Sequence, residues 1–339
     1  MPSTDWKETV APGEEAALER LAETLVGLQR AHAARHGTTA RALHAKGHVG
    51  VEARFEVLDG LADHLRQGLF AQPGEHRAYV RFSNGSGRRQ KDGVGDVRGV
   101  GIKVLGVEGK KIIPGLEDAV TQDFLLIGST TTPFENAEEF VALVVAASGS
   151  PLLLLPRLAG AMGWGRAFRA VKKLLGEINQ PFPTFAGRRL YTVLPFRFGP
   201  YAARAAILPT AELAPEQRAS RGSGPDALAD DLAVRLAEGP LAWDFAVQLY
   251  VDERTPIEDP TVDWPEHVAP WERVARLTLP KQDVRSVEGR ALGARIEAMS
   301  FDPWHALVEH RPLGQMMRAR NHAYRLSTQA RGASPEPTG

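Results

Sequence analysis

Near the C-terminus the chain reads Arg320-Asn321-His322-Ala323-Tyr324, an arginine four residues ahead of a tyrosine in a segment patterned as a helix. That spacing puts both side chains on one helical face. A phenol titrates near pH 10, so holding it as phenolate at pH 7 costs about 4 kcal/mol unless nearby positive charge offsets it. A guanidinium and a ferric haem iron both supply such charge, and tyrosine is one of the few side chains that ligate haem iron. His322 points about 200° away around the helix and is a poor rival ligand. R-x-x-x-Y also describes a surface arginine beside a half-buried tyrosine, so the assignment needs support from distant segments.

That support comes in order along the chain. Arg41-Ala42-Leu43-His44-Ala45-Lys46-Gly47 is followed by Arg81-Phe82-Ser83, Asp96-Val97-Arg98-Gly99, Trp243-Asp244-Phe245 and Ser300-Phe301-Asp302-Pro303. From about Arg41 to Arg331 the sequence resembles the catalase family, specifically its small bacterial catalase-related haem peroxidases. The resemblance implies Tyr324 as iron ligand with Arg320 as its charge partner, His44 as distal base and Ser83 as the hydroxyl that fixes the imidazole tautomer. It also implies that Arg41, Arg81 and Arg331 hold the haem propionates, a task suited to bidentate guanidinium. Phe134 and Phe140 are candidates for packing near the haem. Peroxide must lose a proton from one oxygen and gain one on the other before its O–O bond breaks, and histidine suits that shuttle near neutral pH. Arg81 and Ser83, two apart on a strand, face one side, while Arg331 lies two turns beyond Tyr324 on the same helical stripe. Arg318 and Arg325 read as solvated members of a basic helix.

Two departures bear on function. True catalases carry a distal asparagine after the third or fourth strand, but the corresponding segment, from Asp123 to Phe134, has none. Ser129, Thr130 or Thr132 offers a hydroxyl in its stead. The chain also lacks the long arms and extra segments that bury the haem of large catalases, implying a more open pocket. The favoured expectation is a haem-dependent peroxidase that reduces organic hydroperoxides or hydrogen peroxide with an organic electron donor. The alternatives are an allene oxide synthase-like hydroperoxide isomerase or dehydratase, a genuine small catalase, and a haem-binding protein without turnover. Leu43 stands where the isomerase relatives carry a threonine, and retention of both His44 and Tyr324 argues against the last.

Alternation of period two runs through 53–58, Ala78 to Ser83, Gly99 to Val104, 123–128, 190–198, 203–209, Trp243 to Leu249 and 274–280. About eight strands suffice to close a small barrel. Leu18, Leu21, Leu25 and Leu28 recur at helical spacing over 14–35, an arm for packing or subunit contact. A helical insertion is expected over 136–180, and helices after the last strand carry Tyr324. The fold expected is α+β, a catalase-like eight-stranded antiparallel β-barrel with helical insertion and C-terminal helices around a buried haem. Residues 1–36 are assigned to the arm, 37–331 to one haem domain, and 332–339 to a polar, disordered tail.

Composition bounds the rest. Lys+Arg and Asp+Glu are 41 each in 339 residues, which removes a global electrostatic argument for nucleic acid. With no cysteine, disulfides, thiolate ligation and covalent haem attachment are excluded, leaving non-covalent haem b as the expected cofactor. The N-terminus lacks the basic and apolar regions of a signal peptide, so a cytoplasmic location is expected. The apolar run from Phe140 to Pro156 is too short to span a bilayer and reads as a buried helix followed by an apolar turn, with Leu152 to Leu155 as a less favoured greasy entrance for substrate. His32 and His36 have zinc-pair spacing, yet no carboxylate completes a site. Gly93-Val94-Gly95 precedes a strand where a dinucleotide loop demands a helix. Peroxide and a small organic donor are the expected partners, and the resemblance suggests self-association.

Overall fold

The computed structural model describes residues 1–36, 41–149, 151–210, 218–334 and 336–337. Nine antiparallel strands form one sheet: β1 Gly47–Val57, β2 Gly74–Asn84, β3 Arg98–Leu105, β4 Thr121–Ile127, β5 Leu190–Tyr191, β6 Phe196–Phe198, β7 Tyr201–Pro209, β8 Leu241–Leu249 and β9 Trp271–Leu279. Pairing of β5 with both β4 and β7 closes eight of them into a barrel, and β6 hangs on β7 outside the ring. The expected eight-stranded barrel is therefore present. The run over 190–198 splits into β5 and β6 because Val193, at φ +62°, turns the chain between them.

Period-two alternation sends one set of side chains inward. Phe55, Val80, Phe82, Val100, Ile102, Phe124, Leu126 and Phe245 are buried in a single core. Phenylalanine rings fill the centre, with Phe55 5.2 Å and Phe124 4.8 Å from Phe245 between ring centroids. A barrel of eight strands has just enough interior for its own side chains. Any large cofactor must therefore sit against the outer face.

Among the described residues seven α-helices accompany the barrel: α1 Glu14–His36, α2 Ala137–Ala147, α3 Leu154–Met162, α4 Trp164–Ile178, α5 Ala227–Glu238, α6 Val287–Ala298 and α7 Gln315–Arg331. The arm, the insertion and the C-terminal helix lie where the sequence pattern put them, whereas α5 had no counterpart in the expectation. Asn136 caps α2, its Oδ1 accepting the Glu139 amide at 2.9 Å. Gly332, at φ +60°, ends α7. α1 packs on α7, and α6 packs on β1 and β2. Gly47 permits the latter approach, since a Cβ there would lie 2.6 Å from the Glu297 carboxylate. In the segment expected to be disordered, Ser334 bridges to Met299 and Glu336 pairs with His305 at 2.8 Å. The side chains of His32 and His36 lie outside the described residues.

Candidate active site

The outer face of β2, β3 and β4 forms the floor of the site. Arg81 and Ser83 face outward while Val80 and Phe82 face the core, and Ser83 pairs across the sheet with Gly99. Lys46 and Ala45 tie the incoming loop to this sheet, through Asn84 N–H donating to the Lys46 carbonyl and Ala45 N–H donating to that of Ser86. His44, one residue earlier, holds φ +55°, a left-handed conformation that non-glycine residues rarely adopt. Its N–H donates to the Gly85 carbonyl at 2.9 Å, and its carbonyl accepts from Arg81 Nη2 at 2.9 Å. Strain of this kind persists only where the surroundings fix it, and it concentrates at functional sites.

The His44 ring lies directly over Gly99, where a Cβ would be 2.5 Å from Cε1. Nδ1 is 3.0 Å from Ser83 Oγ, and that hydroxyl has the Gly99 carbonyl 3.5 Å away as an acceptor for its own proton. In this arrangement Oγ accepts from Nδ1–H and Nε2 keeps its lone pair. Burial, followed by the positive charges of Arg81, Arg320 and Arg41, pushes the imidazole pKa down to about 3. His44 is thus neutral throughout the physiological range.

Across the site, α7 presents Arg320 and Tyr324. Arg320 Nη2 donates to Tyr324 Oη at 2.8 Å, and its guanidinium lies 5.0 Å from the ring centroid. Arg331 of α7 and Arg41 of the segment before His44 donate to the same Met299 carbonyl, and the positive charge of Arg320 acts on the His44 imidazole, so α7 runs near that segment. Arg331 reaches back from the end of α7, donating to the Met299 carbonyl at 3.0 Å.

Arg41 and Arg81 meet Arg331 at the C-terminal end of α6. Arg41 pairs with the Glu297 carboxylate and donates to the carbonyls of Glu297 at 3.0 Å and Met299 at 2.7 Å. Arg81 Nε donates to Glu297 Oε2 at 2.7 Å. Burial, together with the neighbouring Arg81 and Arg331, lowers the Arg41 pKa to about 9 despite Glu297. Three guanidiniums thus face one carboxylate, an excess of two positive charges. That excess matches the two propionates of a haem, and the phenol oxygen beside a guanidinium matches a haem-iron ligand in a chain without cysteine. The donor set present fits the group.

Other expectations fall elsewhere. Phe134 is buried against Phe140, with ring centroids 5.9 Å apart, in the connection between β4 and α2. Arg318 is no solvated member of a basic face: Glu8 at 2.7 Å, Glu14 at 2.5 Å and Glu258 at 3.2 Å surround it. Arg325 is exposed. The Thr132 hydroxyl donates to the Phe134 carbonyl at 2.7 Å, and that of Ser129 lies 2.9 Å from the Thr131 carbonyl and 3.2 Å from Glu177 Oε1 of α4. The residue paired with Gly99 across the sheet is Ile127, which is partly exposed and shares the outward parity of Leu125. Sequence reasoning missed Glu297, whose signal was the need of three converging arginines for a carboxylate. Asp302, in the Ser300–Pro303 motif, is buried and its carboxyl is pushed up to about 7 by burial.

Solved structures define the class. Over 91% of this chain and 65% of its own, a fungal catalase superposes with TM-score 0.67 at 19% identity. Catalase A from Saccharomyces cerevisiae gives 0.66 at 19% over 89% and 63%, and a bacterial catalase 0.66 at 18% over 91% and 62%. The fold is that of catalases, and the chain spans just under two thirds of the length of those proteins. No family model matches. The catalase-related peroxidase of Mycolicibacterium paratuberculosis strain K-10 is 31% identical over 244 residues, 66% of this chain and 69% of that protein. The chain belongs to the catalase-related peroxidase family.

Proposed function

We propose that the protein is a haem-dependent peroxidase that takes organic hydroperoxides in preference to hydrogen peroxide and draws electrons from a small organic donor. The observation that carries this reading is the guanidinium-bonded phenol of Tyr324 on a helix that shares the Met299 carbonyl with the segment leading to His44, whose buried imidazole is bonded to Ser83. Haem b, when bound, would supply iron for peroxide cleavage and storage of oxidising equivalents. Tyr324 would hold the iron, Arg320 would supply positive charge to the phenol oxygen, and Arg41, Arg81 and Arg331 would hold the propionates. Nε2 of His44 would take the proton from the proximal oxygen of the hydroperoxide and return it to the leaving oxygen. Ser83 would keep Nδ1 protonated and the ring in place.

Preference for organic hydroperoxides rests on the strand partner of Gly99. Ile127 offers no hydrogen bond to orient hydrogen peroxide, and of the three hydroxyls after β4 those of Ser129 and Thr132 are already committed, leaving that of Thr130. The name of the 31% identical relative supports peroxidase chemistry. The test compares hydrogen peroxide, cumene hydroperoxide and a fatty-acid hydroperoxide on haem-loaded protein, with and without a phenolic donor. Donor oxidation that is faster with either organic hydroperoxide is the expected result. Vigorous oxygen release from hydrogen peroxide would instead make it a catalase, and donor-independent rearrangement of the fatty-acid substrate an isomerase.

A further inference from the structure

The helical insertion carries a surface that the site does not use. Of the eleven exposed large hydrophobic side chains among the described residues, six lie between 145 and 175: Val145, Leu152, Leu153, Trp164, Phe168 and Leu175. Leu152 is 88% exposed, Trp164 65% and Phe168 60%. The apolar turn expected after α2 is thus out in solvent. Over 151–176 the chain has five cations, Arg157, Arg166, Arg169, Lys172 and Lys173, and no acidic residue, in a protein whose net charge is zero.

Packing fixes which way this helix faces. Ala167 and Ala170 of α4 are buried, and Ala167 joins Ala146, Leu158 and Ala159 in a small core. Arg166 is tied inward to Glu135 at 3.0 Å and Glu139 at 2.8 Å, and Lys173 donates to the Thr132 carbonyl at 3.0 Å. The opposite face presents Trp164, Phe168 and Leu175 with Arg169 and Lys172 among them, all exposed. Arg157, Arg169 and Lys172 have no carboxylate partner among the described residues.

We propose that this face docks on an anionic phospholipid surface. Aromatic and leucine side chains interleaved with cations on one helical face are the signature of a helix lying in the plane of a membrane interface, with rings at the headgroup boundary and cations on phosphates. Charge decides against a second copy of the chain. A two-fold contact sets the same patch on itself, so cation would meet cation with no carboxylate to pair them. The helices are too short and too charged to span: no described helix is long and apolar enough to cross a membrane. This inference does not depend on haem or on the peroxidase reading.

Vesicle co-flotation of the full chain tests it, using phosphatidylcholine vesicles with and without phosphatidylglycerol. The wild type is expected to float with the phosphatidylglycerol vesicles, at least about tenfold better than with phosphatidylcholine alone, and to be released by high salt. Trp164→Ser/Phe168→Ser and Arg169→Gln/Lys172→Gln are each expected to lower flotation at least about tenfold. Both pairs are exposed, and circular dichroism checks that the fold is kept. Absence of the wild type from both floating fractions overturns the proposal, as does unchanged flotation of either folded variant. Sedimentation velocity supplies the remaining arm: an oligomer that the Trp164/Phe168 variant dissociates, without vesicle binding by the wild type, assigns the face to self-association and rejects the lipid surface.

Discussion

On the proposed reading Tyr324 and His44 divide one task, and their variants should fail in different ways. Tyr324→Phe removes the phenol oxygen that accepts from Arg320 Nη2 at 2.8 Å within α7. It is expected to abolish the high-spin ferric spectrum of tyrosinate-ligated haem, while Arg320→Ala, which touches the ligand rather than the iron, should weaken haem binding roughly 10- to 100-fold. His44→Ala should keep the spectrum and slow the peroxide reaction by about 100- to 10,000-fold, the range of a lost proton shuttle. A titration followed by absorbance and stopped-flow separates the two, and an unaltered spectrum in Tyr324→Phe would reject the ligand. Both residues were legible in the sequence because each sits inside a short motif. Glu297 sits in none, and only the structure shows Arg41 and Arg81 paired with it and Arg331 nearby.

Among the elements, β3 matters most for the site because it contributes no side chain where His44 rests. Gly99→Ala would drive a methyl into the imidazole, at 2.5 Å from Cε1, and the backbone of His44 is pinned too firmly to retreat. The ring must swing, and displacement of a reacting group by about 1 Å costs roughly 100-fold in rate. We expect haem absorbance to persist and peroxide turnover to fall by that order, measured side by side with wild type. Strand parity in the sequence correctly set Arg81 and Ser83 on one side. It could not say which side of the sheet faced the site, because Val80 and Phe82 are as apolar as an outer wall under a cofactor would be. The filled interior, with Phe55, Phe124 and Phe245 in contact, decides for the outer face. Tertiary structure was also needed to recognise Ile127 as the neighbour of Gly99, since the loop after β4 offered several hydroxyls and no register.

At the scale of the molecule, buried histidines make acid the weak side of this fold. Burial holds His44 near 3 and both His48 and His310 near 4, all below the ordinary value of 6.5. Each is neutral when folded but takes a proton when unfolded below about pH 6.5, so falling pH favours the unfolded chain by up to about 1.4 kcal/mol per pH unit per histidine. Asp302 works in the opposite sense between its ordinary 3.8 and about 7, since its carboxyl is protonated in the fold. Asp96 and Glu177, also raised by burial, act in the same sense as Asp302, but the three histidines are shifted further than those two, and the melting temperature is expected to drop from pH 6.5 to pH 4. A flat profile across that interval would contradict the burial of these rings.

The knot around Arg318 gives the N-terminal segment a role that its leucine spacing did not announce. Glu8 and Glu14 come from the start of the chain and Glu258 from the β8–β9 connection, yet all three grip the helix that bears Tyr324, less than two turns from it. Trimming the first fourteen residues, or crowding them with a fused tag, would leave Arg318 with Glu258 as its remaining carboxylate and loosen the helix that bears Tyr324. On the proposed reading, the optical signature of bound haem would therefore report on the integrity of the opposite end of the polypeptide.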